Sequence, residues 1–190
     1  SGGGGGSTDL TFIASNESGP TGSQVCVDIS VLNFTDIVSM QYSINYNSSV
    51  LQFASATGFN LPGMGVANVG NPTAGNLSIS WVANDPLNGE TVADGTVIFQ
   101  VCFNITGANG SSSNVGFSGA PVPVEVINVD GPLTPVFDNG LVTVTAGGGG
   151  GNNNLTFTAS DETGGNGDQV CVDVTVQNFT NIVSMQYSIN

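Results

Sequence analysis

Apolar and polar residues alternate along most of the chain. In Val25-Cys-Val-Asp-Ile-Ser-Val31 the apolar residues fall on odd positions, and in Val38-Ser-Met-Gln-Tyr-Ser-Ile-Asn-Tyr46 on even ones. Successive side chains of a strand point to opposite faces, so a period of two predicts strands half buried against a core. The same reading places strands at Val50 to Ser55, Leu77 to Ala83, Thr96 to Ile105, Val115 to Ser118, Val122 to Ile127 and Leu141 to Thr145. Gly, Pro, Asn and Asp punctuate them, as in Asn60-Leu-Pro-Gly and Val129-Asp-Gly-Pro, which is turn chemistry. No helical period persists beyond a turn. About nine short strands in roughly 140 residues predict an all-β fold of two packed antiparallel sheets.

The pattern also recurs. Shifted by 145 positions the chain aligns with itself without a gap, and 26 of the 36 positions from Leu10 to Asn45 are identical in the second copy. Ile37-Val-Ser-Met-Gln-Tyr-Ser-Ile-Asn45 returns unchanged as the last nine residues, and the glycines Gly2 to Gly6 return as Gly147 to Gly151. Self-similarity at a fixed period is the signature of a tandem array. The expected organisation is a Gly-rich linker at 1–7, a complete repeat at 8–146, a Gly/Asn linker at 147–153 and the first three strands of a further repeat at 154–190. The chain is then a window onto a longer polymer. Glycine linkers are flexible alone, so copies packed side by side, as in a fibre, are expected to hold them.

Charge narrows the choice of function. Of 190 residues, 14 are Asp or Glu and none is Lys, Arg or His. No salt bridge between side chains can form within or between copies, and no guanidinium or imidazole is available for anion binding or proton transfer. Nucleic acid is excluded as a partner, because cationic side chains supply most of its affinity. Anionic membrane surfaces are excluded likewise, and no apolar run is long enough to insert in a membrane. At 39% apolar and 7% charged residues, the composition is that of a chain that folds.

Three stretches resemble the cohesin family: Gly167-Asp-Gln-Val-Cys-Val-Asp-Val-Thr-Val-Gln-Asn178, Tyr46-Asn-Ser-Ser-Val-Leu-Gln-Phe53, and Asp94-Gly-Thr-Val-Ile-Phe-Gln-Val-Cys-Phe-Asn-Ile105. They match, in order, a Gly-Asp strand opening, a Tyr-Asp-Pro-x-Val-Leu-x-Phe corner and an Asp-Gly-x-hydrophobic strand opening. Asn47-Ser48 stands where the family has Asp-Pro. The resemblance spans Leu10 to Thr145 and implies a nine-stranded jelly-roll sandwich. It also implies one of two roles: a receptor for dockerin modules, or a repeat of a large secreted bacterial surface protein. The strands carrying Cys26 and Cys102 would be neighbours, with both sulfurs on the face opposite Val25, Val27, Val101 and Phe103. A cross-strand disulfide with Cα atoms about 5.5 Å apart is then expected, in keeping with an extracellular location; two free thiols are the alternative. The partner of Cys171 would lie beyond residue 190.

Chemistry is sparse elsewhere. Asp85, Glu90 and Asp94 are weak candidates for Ca²⁺, with Glu17, Asp130 and Asp138 a second group; neither has a known ligand spacing, and solvated loop carboxylates are the alternative. Trp81 alternates in phase with Leu77 and Ile79, which places it in the core. Without His, Lys or Arg, acid–base and nucleophile schemes lack their usual partners, so no enzymatic activity and no cofactor are expected. The remaining candidate is a surface. One expected strand presents Ser39, Gln41, Ser43 and Asn45 on its polar face, a later one presents Asn76, Ser78 and Ser80, and none is charged. The choice is between an ordinary solvated face and a lateral contact between copies, unguarded by lysine. The sequence favours a structural repeat of an extracellular fibre or appendage that self-associates and supports attachment. A cohesin-like module binding a dockerin-type or glycan partner is the alternative.

Overall fold

The computed structural model describes residues 9–146, 155–179 and 184–186. Both glycine tracts and most of the third strand expected for the second copy lie outside the described residues. The chain divides into two compact units, Ser1–Gly147 and Gly148–Asn190.

The first unit runs β1 (Thr11–Ala14), β2 (Glu17–Pro20), β3 (Gln24–Leu32), β4 (Ile37–Tyr46), β5 (Leu51–Thr57), a 3-10 turn (Val66–Asn68), β6 (Val69–Thr73), β7 (Asn76–Val82), β8 (Thr96–Ile105), β9 (Ser112–Ser118), β10 (Glu125–Asn128), β11 (Gly131–Leu133), β12 (Val136–Asp138) and β13 (Gly140–Thr145). One sheet has the order β12-β1-β3-β8-β5. The other has the order β11-β10-β4-β9-β13-β2, with β7 against β4 and β6 against β7. The alternating residues of β3, β4, β7 and β8 fill the space between the sheets: Val27, Ile29, Val31, Met40, Tyr42, Ile44, Leu77, Ile79, Trp81, Val101 and Phe103 are all buried. Each large apolar side chain so buried contributes roughly 1.5–3 kcal/mol. An aromatic cluster joins the sheets, with Phe117 stacked on Phe137 at 4.9 Å and Phe12 against Tyr42 at 5.1 Å.

Two expectations are corrected. The sheets are not wholly antiparallel, because β1 pairs with β12 and β2 with β13 in parallel. Each residue paired there faces one 125 positions later, from Thr11 opposite Val136 to Pro20 opposite Thr145. Thus the two ends of the domain share one register that passes from sheet to sheet. At the crossing Asn16 Oδ1 accepts the Leu141 N–H at 2.8 Å. Gly140 passes so close that a Cβ there would lie 2.3 Å from the Ser15 carbonyl oxygen. The strands also outnumber the expected nine. Thirteen are described in the first unit, because β2, β6, β11 and β12 are short segments, three of them carrying proline, where alternation is too brief to read. The strand expected from Val122 starts instead at Glu125; Pro121 and Pro123 cannot donate to a ladder.

The second unit shows β14 (Thr156–Ala159) and β15 (Val174–Gln177), antiparallel, with Thr156 opposite Gln177 and Ala159 opposite Val174. That is the pairing of β1 with β3, where Thr11 faces Leu32 and Ala14 faces Ile29, moved by 145 positions.

Candidate functional site

The candidate face is built by β4 and β7. Met40, Tyr42, Ile44 and Tyr46 turn inward, which sends Ser39, Gln41, Ser43 and Asn45 to the other side of the strand. The register sets Gln41 opposite Ser80, Ser43 opposite Ser78 and Asn45 opposite Asn76, while Ser39 faces Val82. The Asn45 amide donates to Asn76 Oδ1. All seven sequence-expected residues therefore lie on two adjacent strands.

Ser43 is a correction within that set. It is wholly buried, because the segment after β9 folds back over it: the Ser43 hydroxyl accepts the Val122 N–H at 2.8 Å and donates to the Val122 carbonyl at 3.2 Å. The same segment receives a hydrogen bond from Asn45 to the Ala120 carbonyl at 3.3 Å. Alternation says which side of a strand a residue takes but not what lies over that side. A charge also borders the face. Glu125 on β10 pairs with Gln41 and accepts its amide at 3.2 Å. Ser39, Gln41, Ser80, exposed Val82 and Glu125 border a shallow groove of about 160 Å³. Sequence reasoning missed Val82 and Glu125; both follow once β4 is known to sit between β7 and β10.

The opposite face of the sandwich carries a ladder across β3 and β8. Gln24 donates to Asn104 at 3.2 Å, Cys26 and Cys102 form a disulfide, and Gln100 donates to Asp28 at 2.6 Å. The cysteine Cα atoms are 3.9 Å apart, closer than expected, and the two residues are directly opposed in the register. Among the described residues Cys171 is a free, exposed thiol.

The Ca²⁺ candidates are not brought together. Asp85 organises its own turn, accepting the Leu87 N–H at 3.1 Å and the Asn88 amide at 2.7 Å. The Asn88 hydrogen bond, then that of Leu87, holds its carboxyl below the usual carboxylate range. Glu90 pairs through its backbone with Ile37, and Asp94 accepts the Asn33 N–H at 2.7 Å. Glu17 accepts the Ser15 hydroxyl at 2.6 Å, while Asp130 sits in the turn between β10 and β11 and Asp138 ends β12. Among the described residues no three acidic or sulfur side chains are grouped to hold a metal ion. Trp81 lies in the core with its indole N–H on the Pro62 carbonyl at 2.9 Å. No helix among the described residues is long and apolar enough to cross a membrane.

A two-sheet sandwich whose outer faces carry hydrogen-bonding side chains, with no assembled catalytic or metal cluster among the described residues, defines a β-sandwich module of the jelly-roll class. The cohesin domain model matches residues 11–144, and the chain belongs to that family. Solved cohesins share the fold. The sixth cohesin of scaffoldin B from Acetivibrio cellulolyticus, solved with a mutant Cel5 dockerin, is 21% identical over 72% of this chain and 99% of its own, with a TM-score of 0.61. A Clostridium acetobutylicum cohesin is 19% identical over 72% and 91%, with a TM-score of 0.61. A non-cellulosomal cohesin from the hyperthermophilic archaeon Archaeoglobus fulgidus is 21% identical over 73% and 92%, with a TM-score of 0.57. No curated protein matches the chain.

Proposed function

We propose that the chain is a structural repeat of an extracellular bacterial fibre or appendage, in which copies associate laterally and support attachment to cells or surfaces. The observation that carries this reading is the repetition of one sandwich-building segment at an offset of 145 residues, in sequence and in strand register alike. The complete absence of Lys, Arg and His supports it. Close packing of copies then forms no ion pairs between side chains, and apart from Glu125 at its margin the β4/β7 face carries no charge to oppose a second copy. Ser39, Gln41, Asn45, Asn76, Ser78 and Ser80 form that contact, with Val82 as its apolar margin. Sedimentation of the full chain over a range of concentrations tests this. Association is expected, and Ser80→Glu with Gln41→Glu should abolish it by adding like charges at the contact. A chain that stays monomeric throughout overturns the lateral contact.

A second reading is a binding module for a dockerin-type or glycan partner. Its support is the likeness to a cohesin solved with a dockerin. Calorimetric titration with a dockerin module separates the two: saturable binding favours the receptor, and none favours the structural repeat.

A further inference from the structure

We infer that Thr57 and Gln100 condense into a side-chain ester, a covalent tie between β5 and β8 that forms once, without an enzyme, after the domain has folded.

In the sheet, β8 lies between β3 and β5. The register sets Asp28 opposite Gln100 on one side and Thr57 opposite it on the other. Side chains directly opposed across neighbouring strands are within reach of each other, and these three meet at the Gln100 carboxamide. Its nitrogen donates to Asp28 Oδ1 at 2.6 Å, and its oxygen accepts the Thr57 hydroxyl at 3.4 Å. Gly58, at a φ of 63°, lets the carboxamide come close to the end of β5: a Cβ there would sit 3.1 to 3.3 Å from Gln100 Oε1, Cγ and Cδ. Asp28 is fixed in turn by Ser15, whose hydroxyl accepts the Asp28 N–H at 2.9 Å and whose own N–H donates to the Asp28 carbonyl at 3.0 Å. Asp28 and Gln100 are half-buried. One amide therefore has a hydroxyl at its oxygen, a carboxylate at its nitrogen and little freedom to turn away from either.

The bond that forms joins Thr57 Oγ1 to Gln100 Cδ, and the bond that breaks is Cδ–Nε2. The nitrogen leaves as ammonia. Asp28, already in contact with that nitrogen, draws a proton from water and delivers it to the leaving group, while the Thr57 hydroxyl proton goes to solvent. Protons balance, and no oxidant or other reactant is consumed. The chain has no imidazole or amine to activate the hydroxyl, so the step is slow. It has to occur only once per domain, and groups held against each other gain the large advantage of an intramolecular reaction. The ammonia diffuses away, and the ester that remains is packed beside the disulfide, where Cys102 Sγ lies 3.8 Å from Thr57 Oγ1.

The tie falls where the sheet is most open. β5 is an edge strand, and an edge is the part of a sheet free to pair with another chain. The disulfide fastens β3 to β8 at Cys102, and the ester fastens β5 to β8 two residues away.

Mass spectrometry of the folded full chain, aged at neutral pH and then reduced, tests the ester. A mass below that of the sequence by one ammonia is expected. Digestion with a protease that cuts at acidic or aromatic residues should give one peptide joining the Thr57 and Gln100 segments. Mild alkali should part it and leave a glutamate side chain at position 100, which separates an ester from ammonia lost at an asparagine. Thr57→Ser should keep the mass deficit, Thr57→Ala should abolish it, and Asp28→Asn should slow its appearance roughly 100-fold. A full sequence mass in the aged, folded chain overturns the ester, as does a deficit that persists in Thr57→Ala. The peptide map of the unsubstituted chain decides the matter even if a variant fails to fold. Neither result bears on whether copies bundle.

Discussion

The two copies of one 36-residue segment adopt the same pairing and differ in burial. In the first copy Phe12, Val27, Val31 and Phe34 are completely buried. Their counterparts Phe157, Val172, Val176 and Phe179 are 38 to 50% exposed. Yet Phe157 faces Val176 as Phe12 faces Val31. The Asp173 N–H donates to Ser160 Oγ at 2.9 Å, as Asp28 does to Ser15. Asn178 and Asn33 both take positive φ, 61° and 55°, as do Gly167 and Gly22. Hairpin register and turn shape are thus written in the segment itself, through local side-chain-to-backbone bonds and residues tolerant of the left-handed region. Burial is not local. It is supplied in the first unit by β4 and the strands that follow it.

The comparison can be broken at several points, and the largest effect belongs to the disulfide. Cys26→Ser should lower the stability of the first unit by about 4.5 kcal/mol, the loop-closure value for the span it seals, read as a fall in denaturant midpoint. Cys171→Ser, at the equivalent exposed position, should change the midpoint hardly at all. Next is the aromatic pair. Phe12→Ala removes a ring packed on Phe34, Tyr42, Phe117 and Phe137 and should cost about 4 kcal/mol. Phe157→Ala should cost on the order of 0.5 kcal/mol or less. Equal losses from the two would show that the copies are not distinguished by burial.

Smaller effects sharpen what the first unit adds. The Tyr42 hydroxyl is buried with no hydrogen-bond partner among the described residues, and burial raises its pKa far above the usual phenol value. Tyr42→Phe should therefore raise stability by about 1 kcal/mol, seen in the same denaturation experiment. The smallest effect is electrostatic. Asp85 titrates below its ordinary value because its charged form is hydrogen-bonded. Its contribution is present above the unfolded carboxylate pKa and is lost as pH falls through the lower folded one. Asn88→Ala should move the Asp85 titration, followed by NMR, back up toward the ordinary value.

The same division between local and distant information explains what was legible in the sequence. Strands such as Asn76–Val82 are visible because one face is buried and the other is not, so alternation survives along the whole strand. The opposition of Cys26 and Cys102 followed from a family resemblance, since spacing alone does not say which strands are neighbours. The parallel pairing of the chain ends was invisible for the same reason: nothing in Glu17-Ser-Gly-Pro20 announces a partner 125 residues away. Ser43 was misread because its polar neighbours share its side of the strand, while the Ala120–Val122 segment that covers it comes from far along the chain. The acidic residues near Asp85 look like a cluster in sequence and separate in space, each engaged by its own turn or strand.

Electron microscopy of the native protein distinguishes a fibre from a lone chain in one observation. Laterally bundled filaments with an axial repeat of one sandwich and its linker are expected. Single, flexible, unbundled chains would contradict the fibre reading.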